Sequence, residues 1–186
     1  MTSTKLNIVV AVCTNMGIGI EGRLPWRLKQ DMAFFKQLTV ETQDEQKKNM
    51  VIMGKKTWMS IPTKFRPLQD RVNVVLSTQL TEPPSGALLA SSLKEAVNLA
   101  KSDANVENVF VIGGASVYRE AVEGDCPCRI YLTRVDKEFE CDTFFPKFDT
   151  DVFKRIQNPN NVPTGINVEG DLSFTFEVYE KNLFPH

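Results

Sequence analysis

One acid in this chain stands where a solvated helix would not put it. In Leu24–Leu38 (LPWRLKQDMAFFKQL), Pro25 ends whatever precedes it, and the next dozen residues read as a helix. At about 100° per residue, Leu28, Met32, Phe34, Phe35 and Leu38 fall on one arc, with Lys29, Lys36 and Gln37 outside it. Asp31 sits inside that apolar arc, between Phe35 and Leu38. An unpaired carboxylate on a core-facing stripe is costly. A structural role would offset the cost: Asp31 could cap a neighbouring element or pair with a buried arginine. The chemical alternative is a ligand. A carboxylate at the bottom of an apolar cleft can grip a flat, amidine-like heterocycle through two parallel N–H···O bonds.

Three further stretches could carry chemistry. Gly17-Ile18-Gly19-Ile20-Glu21-Gly22 follows a strand-like run and spells G-x-G-x-x-G. A dinucleotide fingerprint also needs a helix opening at the motif and an acid about 20 residues on, ending the next strand. Here Pro25 follows at once and Asp31 is on a helix, so the stretch reads as a flexible loop that folds over a ligand. The alternative is a plain solvent-facing turn. Gly54-Lys55-Lys56-Thr57 fails the full P-loop pattern but places two lysines and a threonine where a helix N-terminus favours a phosphate. Val111-Ile112-Gly113-Gly114-Ala115-Ser116-Val117-Tyr118 is a strand, two glycines and a helix start. Glycines there let a ligand approach the backbone, although tight-turn glycines look the same. Two such sites in one sheet suggest an extended dinucleotide across the carboxyl edge of the strands. Arg71 could hold a substrate carboxylate bidentately, against the commoner alternative of a surface ion pair.

Composition removes other classes. The 186 residues form one expected domain, 1–186, with 42% hydrophobic and 24% charged residues and a net charge of −1. No basic run favours nucleic acid, and no apolar run approaches the ~18 residues of a membrane span. The N-terminus does not resemble a signal peptide, so a cytoplasmic location is expected. Cys13, Cys126, Cys128 and Cys141 follow no zinc or disulfide spacing and read as free thiols in a reducing compartment. The sole histidine is His186, the last residue, which disfavours Ser-His and Cys-His catalysis and histidine-based metal sites. No metal site is expected.

The elements that must position these residues follow from periodicity and punctuation. Strands are expected at Leu6–Cys13, Met50–Met53, Arg71–Leu76, Ala87–Ala90, Asn108–Ile112, Ile130–Val135, Phe153–Gln157 and Leu172–Glu180. Besides the Asp31 helix, helices are expected from Gly54 to before Pro62, from the capping box Ser92-Leu93-Lys94-Glu95 to about Lys101, and from Ala115 to about Val122. Val40–Asn49 reads as an exposed loop, and the Asn158–Gly165 loop favours antiparallel pairing of the last two strands. Alternating strands and helices give an α/β fold with a largely parallel sheet covered on both faces.

Together these pieces resemble dihydrofolate reductase. The resemblance rests on Asn15-Met16-Gly17-Ile18-Gly19, Leu24-Pro25-Trp26, Val51-Ile52-Met53-Gly54-Lys55-Lys56-Thr57-Trp58, Arg66-Pro67-Leu68, Val111-Ile112-Gly113-Gly114 and Asp142-Thr143-Phe144-Phe145-Pro146, in the family's order and spacing. The loop at Val40–Asn49 and the long tail are similar to the larger, animal-type members. The acid departs from them: it is Asp rather than Glu, five residues after Trp26, as in the bacterial type. Phe65 stands where Asn is commoner.

The resemblance implies NADPH-dependent reduction of 7,8-dihydrofolate to tetrahydrofolate, with antifolates as inhibitors. It implies an eight-stranded mixed sheet, mostly parallel, with an antiparallel C-terminal strand. It implies that Asp31 holds the pterin N3 and 2-amino group, with Leu24 and Trp26 in the catalytic machinery. Val9 and Ile112 would offer backbone carbonyls to the pterin. Met32, Phe35, Ile61, Phe65, Leu68 and Thr133 would complete the substrate site, and Arg71 would hold the glutamate α-carboxylate. Ala11, Gly17, Ile18, Gly19 and Gly22 would frame the nicotinamide side of the cofactor. Lys55, Lys56, Thr57, Ser77, Thr78, Gly113, Gly114, Ala115, Ser116, Val117 and Tyr118 would hold its phosphates and adenosine, with a cis peptide at Gly113-Gly114. Thr78 and Ser91 occupy positions where arginines often read the 2′-phosphate, leaving Lys55, Ser77 and Thr78 as its expected readers. A monomer is expected. The rivals are a pterin or flavin-precursor reductase, which would not use Arg71, and a non-catalytic binding module, against which the intact Asp31 weighs.

Overall fold

The computed structural model describes residues 4–181; the outer ends of the expected domain, residues 1–3 and 182–186, lie outside the described residues. The chain order is β1 (Leu6–Val12), β2 (Gly17–Gly19), α1 (Lys29–Val40), β3 (Lys48–Gly54), α2 (Lys55–Ser60), β4 (Arg71–Leu76) and β5 (Leu88–Ala90). It continues with α3 (Leu93–Ser102), β6 (Val106–Gly113), α4 (Ala115–Glu123), β7 (Cys128–Val135), β8 (Thr143–Phe144), β9 (Lys154–Ile156), β10 (Asn167–Glu169) and β11 (Leu172–Lys181).

Nine strands form one sheet: eight lie in the order β10-β11-β7-β1-β6-β3-β4-β5, and the short β9 pairs with β11 beside β10. The pairings from β7 through β5 are parallel. β11 runs antiparallel to β7 from Phe174–Val135 to Lys181–Cys128. The expected antiparallel pairing of the last two long segments is present, with Val178 opposite Ile156. The expected mixed sheet with an antiparallel C-terminal strand is thus the observed one.

The period-2 alternation of the strands builds two cores. Ile8, Val10 and Val12 of β1, Val109 and Val111 of β6, and Ile130 and Leu132 of β7 face α3 and α4. Val9 and Cys13, Phe110, Tyr131 and Val135 face α1 and α2, where Phe34, Leu38 and Trp58 close the layer. The rings of Phe34 and Phe176 lie 4.5 Å apart between α1 and β11. Half of the α3 capping box forms as expected: the Ser92 side chain accepts from the Glu95 N–H, while the Glu95 carboxylate accepts from Ser91.

The structure departs from the sequence reading in four places. Gly17–Gly19 is a short strand paired with β8, held by a partner more than 120 residues away that local pattern does not reveal. α1 begins at Lys29, because Leu28 is extended, so Trp26 lies in the approach to the helix. β10, between Gly165 and Gly170, is too short to carry a periodic signal. Lastly, β3 starts at Lys48, and Asn49 is fully buried rather than part of an exposed loop.

Asn49 is buried because its amide closes three backbones together. Its Nδ2 donates to Thr39 O (3.0 Å) and Glu41 O (2.8 Å) at the end of α1, and its Oδ1 accepts from Asn108 N (3.0 Å). Asn49→Ala should strand these groups at ~1–3 kcal/mol each, lowering stability by about 2–4 kcal/mol in urea unfolding. An unchanged urea midpoint would show that the C-terminal end of α1 does not depend on Asn49.

Candidate active site

The site opens where the sheet changes direction. From β1 the chain moves outward through β3, β4 and β5, then returns to place β6 between β3 and β1. Pairing between β1 and β6 ends at Ile8–Val111, whereas β1 stays beside β7 as far as Val12–Arg134. The two inner strands therefore part beyond Ile8, leaving a crevice at the carboxyl edge, where open α/β sheets bind ligands. Val9 and Ile112 flank the crevice on the α1 side of the sheet. The Val9 carbonyl accepts the buried Tyr118 hydroxyl at 2.8 Å. Burial pushes the Tyr118 phenol up, so it remains a donor.

Asp31 lies in the first turn of α1, facing β7. The Thr133 hydroxyl donates to Asp31 Oδ1 at 2.6 Å. Burial pushes the Asp31 carboxyl above its ordinary 3.8, and the Thr133 bond offsets this in part. No ion pair involves Asp31 among the described residues. The arginine partner and the capping role that would make Asp31 structural are not formed among them. The apolar arc itself divides. Phe34 and Leu38 enter the core, while Met32 is 55% exposed and Phe35 is half-buried. Asp31 therefore looks onto the cleft rather than into a closed core.

Arg71 opens β4 near the far end of α1. Its Nε donates to Gln69 O at 2.8 Å and its Nη1 to Thr39 Oγ1 at 3.0 Å. Both acceptors are neutral, and the described residues offer it no ion pair. Thr39 follows Asp31 by two turns of helix, about 12 Å at ~1.5 Å per residue. A half-buried acid and a fixed cation thus stand at the two ends of one helix face. Leu68 is clamped beside them: its N–H donates to Asn73 Oδ1 and its carbonyl accepts from Asn73 Nδ2, both at 2.9 Å. Arg66 Nη1 fixes the Ile61 carbonyl at 2.9 Å. Leu24 and Phe65 are 54% and 58% exposed, large apolar surfaces left uncovered. Trp26 is buried, and its Nε1 has no protein partner among the described residues.

Further predicted residues lie at the carboxyl ends of β3, β4 and β6 and along residues 11–22. The Gly113–Gly114 peptide is cis, as the resemblance implied, and Gly113 has φ +136°. A Cβ on Gly113 would come 3.1 Å from Thr57 Oγ1, and one on Gly114 3.4 Å from it, so β6, α2 and α4 meet closely here. Ala115, Ser116 and Val117 begin α4, whose N-terminus has no side-chain cap. Lys55 and Lys56 are exposed at the start of α2. Ser77 Oγ accepts the N–H groups of Gln79 and Leu80 and keeps its own proton to donate. Thr78 is exposed and Ala11 half-buried. Gly17, Ile18 and Gly19 form β2, whereas Gly22 (φ +75°) is exposed with open space around it. Uncapped backbone N–H groups, hydroxyl donors and two free lysines suit a pyrophosphate-bearing cofactor.

Comparison with known proteins decides the family. Residues 5–181 match the dihydrofolate reductase family. The chain is 47% identical over 182 residues to the dihydrofolate reductase of Sus scrofa, covering 95% of this chain and 98% of that one. It is 43% identical over 185 residues to that of Heliothis virescens, covering 97% and 100%. The structure of Schistosoma mansoni dihydrofolate reductase matches with a TM-score of 0.85 and 42% identity, over 97% of this chain and all of that one. This chain belongs to the dihydrofolate reductase family. It is therefore an oxidoreductase of that class.

Some supports of α1 and β4 carry no dihydrofolate reductase motif. Glu169 of β10 accepts the Lys29 N–H (2.7 Å) and Gln30 N–H (3.0 Å), capping α1 from about 140 residues away. Leu28, the residue at the helix's own N-cap, supplies no side-chain cap. Asn73 and Thr39 read as ordinary strand and helix residues. Only the burial of polar side chains in the fold reveals their roles.

Asp31 also sets a stability trade-off. Its folded pKa lies above its open-chain value, so ionising it favours the unfolded chain. The penalty is absent below about pH 3.8 and complete above the folded-state pKa. Asp31→Asn still accepts the Thr133 hydroxyl. Without ligands it is expected to unfold at higher urea than the natural chain at pH 7, with the gap closing as pH falls towards 3.8. A variant less stable at pH 7 would mean that the carboxylate is paired within the fold.

Proposed function

We propose that this chain reduces 7,8-dihydrofolate to 5,6,7,8-tetrahydrofolate with NADPH. The observation that carries the reading is the placement of Asp31 and Arg71, each without an ion-pair partner among the described residues, at the two ends of one α1 face. That spacing suits a substrate with a flat, amidine-bearing head and a carboxylate tail. A pterin without its tail would have no use for Arg71.

The chain's own residues would act by position and charge. Asp31, oriented by Thr133, would bond the pterin N3 and 2-amino group and draw the ring into the crevice. Val9 and Ile112 would present carbonyls at its opposite edge. Phe35, Leu68, Ile61 and the exposed faces of Leu24, Met32 and Phe65 would cover the rings. Trp26 Nε1, a buried donor without a protein partner among the described residues, would hold an ordered water. A water is the proposed carrier of the N5 proton, with Asp31 tuning the ring's basicity rather than delivering the proton directly. Residues 15–23 would cover the reacting atoms and exclude bulk water.

The cofactor, when bound, supplies the hydride received at pterin C6. Ala11, Ile18 and Gly19 would frame its nicotinamide. Gly113, Gly114, the start of α4 and Thr57 would take its pyrophosphate. Ser91 is committed to Glu95, whose carboxylate accepts both its N–H and its hydroxyl. Lys55, Ser77 and Thr78 therefore remain to read the 2′-phosphate.

Loss of NADPH absorbance on adding dihydrofolate tests this, with NADH in parallel. Asp31→Asn is expected to lower kcat/KM by about 100-fold or more, the scale of two charge-assisted bonds at ~1.5–3 kcal/mol each. NADPH affinity should stay unchanged. Arg71→Leu should raise KM for dihydrofolate about 10–100-fold and leave a tail-less pterin substrate unaffected. Equal loss with both substrates would take Arg71 out of tail recognition, and normal turnover in Asp31→Asn would take Asp31 out of the mechanism.

A further inference from the structure

Two of the four cysteines stand together at the base of the segment that borders the crevice. Cys13 Sγ and Cys141 Sγ lie 3.9 Å apart, although 128 residues separate them in sequence. Cys13 follows β1 and is buried, whereas Cys141 is half-buried just before β8. The Cys141 side chain fills the space beside Gly17, where a Cβ would collide with Cys141 Sγ. Asn15 binds both sides: its Oδ1 accepts the Cys13 thiol at 2.8 Å and the Gly17 N–H at 3.0 Å, and its Nδ2 donates to Phe139 O at 3.1 Å. Backbone bonds continue the seam, from Asp142 N to Gly19 O and from Phe145 N to Met16 O.

We propose that Cys13 and Cys141 form a dithiol site that small-molecule disulfides oxidise to an intramolecular disulfide, clamping residues 14–19 to residues 139–145. The sulfurs need to approach by roughly 1.9 Å to reach bonding distance, a movement shared between two side chains. Cys141, the more accessible thiol, reacts first. Its thiolate attacks one sulfur of the small disulfide, that S–S bond breaks, and the departing thiolate takes up the proton lost by Cys141. Cys13 then loses its proton and attacks Cys141 Sγ, expelling the second small thiolate, which takes that proton. Two protein thiols are oxidised, one small disulfide is reduced to two thiols, and atoms and electrons balance. The price is the Cys13–Asn15 bond, which has no proton left to donate.

The site is independent of the proposed substrate chemistry, so its test needs no turnover. The reduced full chain is treated with oxidised glutathione, alkylated and digested with trypsin. Residues 6–23 and 138–147 emerge as separate fragments holding one cysteine each, whereas Cys126 and Cys128 share a third. The expected product is the first two fragments joined, two hydrogens lighter than their sum, and released by dithiothreitol. Hydrogen exchange in residues 14–19 should slow on oxidation. Cys141→Ser should give neither change while keeping the slow exchange of the sheet, which shows that it folds. Cys141 stopping as a glutathione adduct, a disulfide confined to Cys126 and Cys128, or all four thiols remaining free would each overturn the site. A joined pair of fragments with unchanged exchange would overturn the clamp.

Discussion

A half-buried carboxylate whose bonded partner within the described fold is a threonine hydroxyl is the constraint around which this molecule is arranged. The Thr133 bond orients Asp31 without neutralising it. Everything near it preserves that condition. Arg71, the cation that could have quenched it, is held at the other end of α1 by Thr39 and Gln69. Glu169 caps the helix from β10 and adds no positive charge. The fold thus keeps unmet electrostatic demand at a chosen point, and a cationic or amidine-bearing ring would meet it.

The crevice beside that acid is a product of chain order. Because the chain leaves β1 to build β3, β4 and β5 before returning with β6, the central pair of strands is joined only after that excursion and only over the first residues of β1. Their separation beyond Ile8 and Val111 exposes backbone on both sides while the outer pairings hold the walls rigid. Glycines at 113 and 114 let the end of β6 and the start of α4 approach α2 at Thr57. A binding cleft needs no cavity carved from the core; it is the unpaired length of two otherwise buried strands.

Much of this was legible in the sequence, for identifiable reasons. Apolar runs of β1, β3, β6 and β7 announce buried strands, and Gly113-Gly114 with Gly54-Lys55-Lys56-Thr57 announce strand-to-helix turns. Asp31 declared itself by breaking a pattern. The illegible parts are those whose physics is long-range. Glu169 caps a helix far away in sequence, β2 exists only against β8, and Asn49 resembles a loop asparagine until Asn108 is beside it. The split of the α1 arc into a core side and a cleft side was also hidden, because both sides carry the same apolar residue types.

The position of β11 has a consequence for how the molecule is made. β7 is covered on one side by β1, from Cys128 to Arg134, and on the other by β11, which runs from residue 172 to 181. Until that strand emerges from the ribosome, β7 is an open sheet edge, and Thr133 lies on it. Glu169, just before β11, likewise arrives too late to cap α1 early. Asp31 is therefore supported by residues made well over a hundred positions after it, so a nascent chain stalled before residue 169 would carry Asp31 without either of these two supports.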